Sequence, residues 1–183
     1  MEEIRGWRAM LCFPQMATKS QITAEQYLNM TFEHDAEFVH GEIVERSMPD
    51  YVHGKIAFLL AQALVPVTRS HRLYPCFEVR MRVAADIYRL PEVSVFAEEE
   101  PSQSVPSKPP ILVVEIVSKD DRHHDLMDKL EEYSAWGVPN IWVIDPLAKR
   151  FAIFTERRLQ NVSTLALPGY PFELTPCVLF SDL

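Results

Sequence analysis

Glu115 lies in the middle of the apolar stretch ILVVEIV, residues 111–117. A short apolar run of this kind, next to polar and proline-rich segments, predicts a strand that is buried on both faces. An ionised carboxylate is costly to bury alone, so Glu115 should be ion-paired, protonated or bound to a metal ion. Which of these applies depends on the charged residues that the fold brings near it.

A lysine lies on the apolar side of the helix that is predicted to follow this strand. With about 100° between successive helical residues, Lys129 falls inside the apolar arc of that helix. The arc is formed by Leu126, Leu130, Tyr133 and Trp136. On this face Lys129 needs a partner, and Glu115 is the natural one. The spacing alone leaves open a structural salt bridge, a lysine whose amine reaches water past a ring, and a functional site.

A third charged residue, Glu92, begins another predicted strand directly after Pro91. Two carboxylates and a lysine at strand ends are suited to phosphodiester hydrolysis. The carboxylates can bind Mg²⁺ through oxygen, and the cation polarises the phosphoryl group and lowers the pKa of a bound water. The lysine can orient that water or stabilise the charge that grows in the transition state. With Glu92 included, Glu115 is predicted to be a metal ligand.

These residues require a mixed α/β fold of the α+β type to position them. The segment 111–145 reads as strand, helix and strand, which predicts a crossover with two neighbouring parallel strands. We expect a mixed β-sheet flanked by helices on both faces. Its further elements are a short helix that Thr23 and Gln26 cap, a hairpin around Gly41, a helix over about 53–69 that Asp50 caps and Pro66 kinks or shortens, strands within 73–83 and 92–97, and C-terminal edge strands after residue 150.

The composition limits the classes of function. The chain has 183 residues, 48% of them hydrophobic, and a net charge of −8. This acidity argues against a tight, unspecific nucleic-acid coat, but it allows an enzyme whose carboxylates hold a cation against a phosphate. We expect a loosely ordered extension over 1–15 and a single domain over 16–183. No disulfide, secretion signal or membrane span is expected, and the cytoplasm is the predicted location.

Several segments, in chain order, resemble the Uma-type family of restriction endonucleases within the PD-(D/E)XK nuclease superfamily. They are ITAEQYL, EFVHGEIVE, PDYVHGKIAFLLAQAL, LPEVSVF and VVEIVSKDDRHHDLMDKLEEYSAWGVPNIWVIDP. The resemblance implies a restriction-endonuclease-like core and cleavage of DNA that depends on a divalent metal, Mg²⁺ or Mn²⁺. A homodimer is plausible, because two copies of one small site can cut two strands.

The resemblance also implies roles for individual residues. Glu92, Glu115 and the main-chain carbonyl of Ile116 would bind the metal. The superfamily's lysine would fall on Val117, and Lys129 on the following helix would replace it.

Two upstream residues, Glu42 and His53, match family positions that are expected to line the same cleft. Their types alone leave open an exposed strand residue and a surface histidine.

The sequence departs from the family at two positions. It has Glu92 where the family usually has aspartate, and Lys119 where the family usually has proline. One extra methylene moves a carboxylate by about an ångström, and a misplacement on that scale can cost much of the catalysis. The alternative interpretation is therefore a weakened or inactive nuclease-fold module that binds DNA or a protein partner.

Overall fold

The computed structural model describes residues 21–46, 50–119, 122–181 and 183. The predicted extension over 1–15 lies outside them, and the single domain over 16–183 stays a prediction. The described elements are α1 (Ala24–Leu28), β1 (Ala36–Val39), β2 (Glu42–Glu45), α2 (Tyr51–His71), β3 (Leu73–Phe77), β4 (Met81–Ala84), β5 (Ile87–Arg89), β6 (Val93–Ala97), β7 (Leu112–Ile116), α3 (His123–Trp136), β8 (Asn140–Asp145), β9 (Arg150–Thr155), β10 (Arg158–Val162), β11 (Leu165–Ala166), β12 (Glu173–Leu174) and α4 (Pro176–Leu179).

The predicted helix caps are confirmed. Thr23 and Gln26 form a reciprocal capping box at α1. The Asp50 side chain accepts a hydrogen bond from the backbone N–H of His53 at the start of α2. The expectation that Pro66 shortens α2 is wrong, because the helix continues to His71. Val67 packs in the core directly after the proline, and such tertiary packing supplies most of a helix's stability.

Six strands form the central sheet in the order β10-β9-β8-β7-β6-β3. Strands β7 and β8 are parallel neighbours joined through α3, as the crossover prediction requires, and the other pairs are antiparallel. The prediction of C-terminal edge strands is wrong for β9, which lies inside the sheet. The polar strand β10 takes the edge after a tight turn in which Glu156 and Arg157 have positive φ. Strands β11 and β12 form a separate pair.

Helices cover both faces of the central sheet, which confirms the predicted architecture. On one face, Ile56, Leu60 and Leu64 of α2 pack in one core cluster with Leu112 and Val114 of β7. On the other face, residues of α3, β7 and β8 form a second cluster, which includes Leu130, Tyr133, Val113 and Val143.

A second sheet, in the order β2-β1-β5-β4, joins this second cluster through Val83 and Ile87. Side chains alternate between the faces of a strand, so Glu115 points to the same side as Val113, toward α3. The region between β7, α3 and the second sheet receives a charged side chain from each of them, namely Glu115, Lys129 and Glu37.

Helix α2 is long and apolar enough to cross a membrane by length and composition, contrary to our expectation from the sequence. In the structure it packs one side, through Ile56, Leu60 and Leu64, onto the central sheet. A core helix of a globular domain passes the same test, so α2 is weak support for a membrane span.

Candidate active site

A cavity of about 480 Å³ opens beside the ends of β6 and β7. Its walls come from the central sheet, from α3, from the start of α2 and from the hairpin β1–β2. Five of the residues predicted from the sequence line it, namely His53, Glu92, Glu115, Ile116 and Lys129. The structure thus brings together the carboxylates and the lysine that were proposed to act jointly.

Glu115 is 4% exposed and has two hydrogen-bond donors. The Tyr133 hydroxyl donates to Oε1 at 2.8 Å, and the Lys129 amine donates to Oε2 at 3.4 Å. Burial raises the pKa of Glu115, and the nearby ammonium of Lys129 opposes that rise. The buried carboxylate is therefore ion-paired, which is one of the three outcomes that its position allows.

Lys129 has a second carboxylate partner. Its Nζ lies 3.1 Å from Oε1 of Glu37, closer than the 3.4 Å to Glu115. Burial would lower the pKa of Lys129, but Glu115 and Glu37 outweigh burial and raise it. The amine is therefore held as an ammonium ion between β1 and β7.

Glu37 was not predicted as a site residue from the sequence. It is 2% exposed, and it accepts hydrogen bonds from Arg89 Nη1 at 2.8 Å and from the Leu90 N–H at 2.9 Å. In the hairpin segment its alternation with apolar neighbours resembles an ordinary half-exposed strand. The only apolar neighbour on its own face of β1 is Val39, because residues two apart on a strand point to the same side, and one such residue does not predict burial.

Glu92 lies beside Glu115, directly before the neighbouring strand β6. The antiparallel register pairs Val93 with Val114, and one further step brings Glu92 opposite Glu115. A guanidinium nitrogen of Arg46 contacts the Glu92 carboxylate, and His53 Nε2 lies 3.3 Å from it.

These cations decide the charge of Glu92. Burial would raise its pKa, but the His53 hydrogen bond and the Arg46 charge hold the pKa below its ordinary value. The Glu92 hydrogen bond raises the pKa of His53, against burial. Arg46, directly after β2, was also not predicted as a site residue, since an arginine at the end of a strand usually points into solvent.

Glu42 lies apart from these residues. It is exposed at the first position of β2, opposite Val39, and it does not line the cavity. Glu45, at the other end of the same strand, does line the cavity.

Comparison with known proteins identifies the family. The sequence profile of Uma2, described as "Putative restriction endonuclease", matches residues 24–176. The chain belongs to the Uma2 family. This membership supports a nuclease-like function, and it confirms the resemblance that the sequence motifs indicated.

A solved structure shares the fold of this Uma2 chain. It is the 1.96 Å crystal structure of "a putative nuclease belonging to DUF820" from Anabaena variabilis ATCC 29413. The two chains are 20% identical, with a TM-score of 0.78 over 87% of this chain and 98% of the other. No curated protein sequence matches the chain.

The donor atoms of the Uma2 cavity suit a hard cation. Mg²⁺ takes oxygen ligands and keeps several waters, so one or two carboxylates are enough to hold it. Glu92 and Glu115 supply carboxylate oxygens, and Ile116, whose main-chain carbonyl is an oxygen donor, lines the same cavity. Within residues 21–46, 50–119, 122–181 and 183, which the structure describes, no three His, Cys, Asp or Glu side chains group as a ready-made metal site. The Arg46 guanidinium supplies the positive charge at Glu92 instead.

Proposed function

We propose that this Uma2 protein is a divalent-metal-dependent endonuclease that hydrolyses phosphodiester bonds of DNA. One observation carries the proposal: the carboxylates of Glu92 and Glu115 and the ammonium of Lys129 line a single cavity at the ends of two adjacent strands. Two carboxylates, with a buried amine beside one of them, match the needs of metal-assisted phosphoryl transfer.

Glu92, Glu115 and the Ile116 carbonyl would hold the ion, Mg²⁺ or Mn²⁺. When bound, the ion polarises the phosphoryl group and supplies an activated water. Glu42 is not included in the proposed site, because it does not line the cavity.

The chain's own cations stabilise the phosphate. The Lys129 ammonium would stabilise negative charge on the oxygens of the pentavalent phosphorus. Tyr133 fixes Oε1 of Glu115 and so leaves Oε2 directed at the amine. Arg46 and Arg122 also line the cavity, and they can neutralise phosphates on an otherwise acidic protein.

Cleavage of supercoiled plasmid tests this proposal. Purified protein with Mg²⁺ or Mn²⁺ should nick or linearise the plasmid, and Glu115→Gln and Lys129→Met should abolish the reaction. Lys108→Ala is the matched control, because Lys108 lies exposed in the loop before β7 and outside the cavity. Equal activity in the parent, Glu115→Gln and Lys129→Met would attribute cleavage to a contaminant and refute the site.

The second candidate function is a non-catalytic module that binds DNA or a protein partner. It is favoured by the ion pair between Arg46 and Glu92, which satisfies the carboxylate without a metal. Thermal melting separates the two candidates, since an ion that binds the folded state raises the melting temperature. No shift with millimolar Mg²⁺ or Mn²⁺, together with no cleavage, would favour the module.

The homodimer and the cytoplasmic location stay predictions. Light scattering during size-exclusion chromatography tests the first, and fractionation of cells that express the protein tests the second.

A further inference from the structure

A buried carboxylate that the proposed chemistry does not use lies beside the lysine that it does use. Glu37 comes from the second sheet, whereas both proposed metal-binding side chains come from the central sheet. We propose that Glu37 is a positioning residue, which holds the Lys129 ammonium in place for the reacting phosphate. The inference rests on the proposed function for its kinetic consequence, and its geometric part can be tested without any cleavage.

Both oxygens of Glu37 have fixed partners. Oε1 accepts from the Leu90 backbone N–H at 2.9 Å and lies 3.1 Å from Lys129 Nζ. Oε2 accepts from Arg89 Nη1 at 2.8 Å. A carboxylate held by a backbone N–H and a guanidinium has little freedom to turn. It therefore presents one defined point to the end of a long side chain that is otherwise flexible.

The same arrangement fixes helix α3, which carries the lysine. Arg89 forms a two-pronged ion pair with Glu132, with distances of 2.6 and 2.8 Å. Glu132 lies three residues after Lys129, so both side chains project from one side of α3 toward the second sheet. The helix is thus joined to that sheet at two successive points, Glu132 to Arg89 and Lys129 to Glu37.

Glu115 cannot do this work alone. It is 3.4 Å from the amine, farther than Glu37, and in the proposed reaction its oxygens also serve as metal ligands. Glu37 has no such second task, so it can keep the ammonium in place while Glu115 is engaged elsewhere. Positioning of this kind matters for rate, since displacing a reacting group by about an ångström can cost roughly 100-fold.

The kinetic test compares two isosteric variants. Glu37→Gln removes the charge beside Lys129. Glu132→Gln removes a charge from the same buried network without touching the amine. We expect kcat to fall roughly 10- to 100-fold in Glu37→Gln, with the KM for DNA little changed. In Glu132→Gln we expect a similar loss of thermal stability but a smaller loss of kcat, because α3 loses one anchor while Glu37 still holds the amine. Equal loss of kcat in both variants would show that Glu37 matters only for packing.

The geometric test follows the ammonium group itself. The chain has six lysines, so a ¹H–¹⁵N correlation spectrum of the lysine ammonium groups at low temperature is simple to assign. Lys129→Met identifies the signal of Lys129. That signal should be slowly exchanging in the parent and in Glu132→Gln, and it should be lost in Glu37→Gln.

The outcomes separate the two proposals. An unchanged Lys129 signal in Glu37→Gln overturns the positioning role. A parent protein that does not cut DNA defeats the proposed function, and the spectra still decide where the amine is held. If Glu37→Gln does not fold, Glu37→Asp keeps the negative charge in the network but withdraws the carboxylate by one methylene from the amine and from its other partners, and the same loss of signal is expected.

Discussion

Replacing Arg46 by glutamine should strengthen the binding of divalent cations in the cavity. The Arg46 guanidinium contacts Glu92, and a second nitrogen lies 3.8 Å from Glu78. An incoming cation must displace the guanidinium from Glu92, and the positive charge of the guanidinium then repels the bound cation. Glutamine can still donate a hydrogen bond, but it carries no charge that competes with the metal ion.

The size of the effect follows from the burial of the pair. The side chains of Arg46 and Glu92 are 14% and 7% exposed, so solvent screens their interaction only weakly. A hydrogen bond to a charged group contributes about 1.5–3 kcal/mol net. Because each 1.4 kcal/mol corresponds to a factor of ten, the Kd for the cation should fall roughly 10- to 100-fold.

Titration calorimetry with Mn²⁺ in the absence of DNA measures this change directly. The parent and Arg46→Gln are compared with Arg82→Gln, since Arg82 is exposed on β4 and does not line the cavity. Without metal, Arg46→Gln should melt at a lower temperature than the parent, because two neighbouring carboxylates lose their cation. Mn²⁺ should raise the melting temperature of Arg46→Gln back toward that of the parent, because it binds to the folded state. A folded Arg46→Gln variant with an unchanged or weaker Mn²⁺ affinity would refute the competition between arginine and metal.

Three further perturbations test other contacts of the cavity. Tyr133→Phe removes a 2.8 Å hydrogen bond to buried Glu115 and should destabilise the fold by about 1–3 kcal/mol in urea unfolding; an unchanged midpoint would contradict that contact. Burial would raise the pKa of Glu37, but Lys129 and Arg89 hold the pKa below its ordinary 4.5. The ionised Glu37 side chain therefore stabilises the folded state fully above pH 4.5, and this contribution is lost as the pH falls through the lowered pKa. Acidification from pH 6 to 3 should therefore cost the parent more unfolding free energy than Glu37→Gln, and parallel curves would refute the pairing. Arg122 lines both the main cavity and a neighbouring one of about 320 Å³, so Arg122→Gln should weaken DNA binding and reduce the salt slope by about one in fluorescence anisotropy. An unchanged salt slope would mean that Arg122 does not touch a phosphate.

Local periodicity was sufficient to find the central pair of the site. Glu115 and Lys129 lie on a strand and on the helix that follows it, so the pleat of one and the angular spacing of the other determine that they meet. Glu92 was found for a related reason, because the start of a strand after proline marks a sheet edge where side chains converge. In each case the relevant information lies in one strand or in the helix that directly follows it.

Glu37 and Arg46 could not be found in this way. Both lie on the hairpin β1–β2, whose position beside α3 depends on the pairing of β1 with β5, about fifty residues later in the chain. A strand that will be covered by a distant element has the same alternation as one that stays half exposed. The same limit explains β9, whose place inside the sheet depends on the polar strand β10, which carries no strong apolar signal.

The charges of the site indicate why these two residues matter together. Four carboxylates with limited exposure, Glu37, Glu92, Glu115 and Glu132, are joined to three permanent cations, Arg46, Arg89 and Lys129. Counted without His53, whose pKa the Glu92 hydrogen bond raises, these seven side chains carry one net negative charge.

A divalent cation in place of the Arg46 guanidinium would cancel that charge. It would also release the guanidinium, which lines the same cavity, to face a phosphate. Arg89 would keep Glu37 and Glu132, which are not among the proposed metal ligands. Lys129 would keep Glu37 even where its other partner, Glu115, binds the metal. The charges of the cavity therefore fall into two groups. One is the network of Glu37, Arg89 and Glu132, which holds the lysine, and the other is the position at Glu92, where a metal ion could replace the Arg46 guanidinium. On this reasoning, Arg46→Gln should change metal affinity with little effect on the Lys129 ammonium signal, and Glu37→Gln should do the reverse.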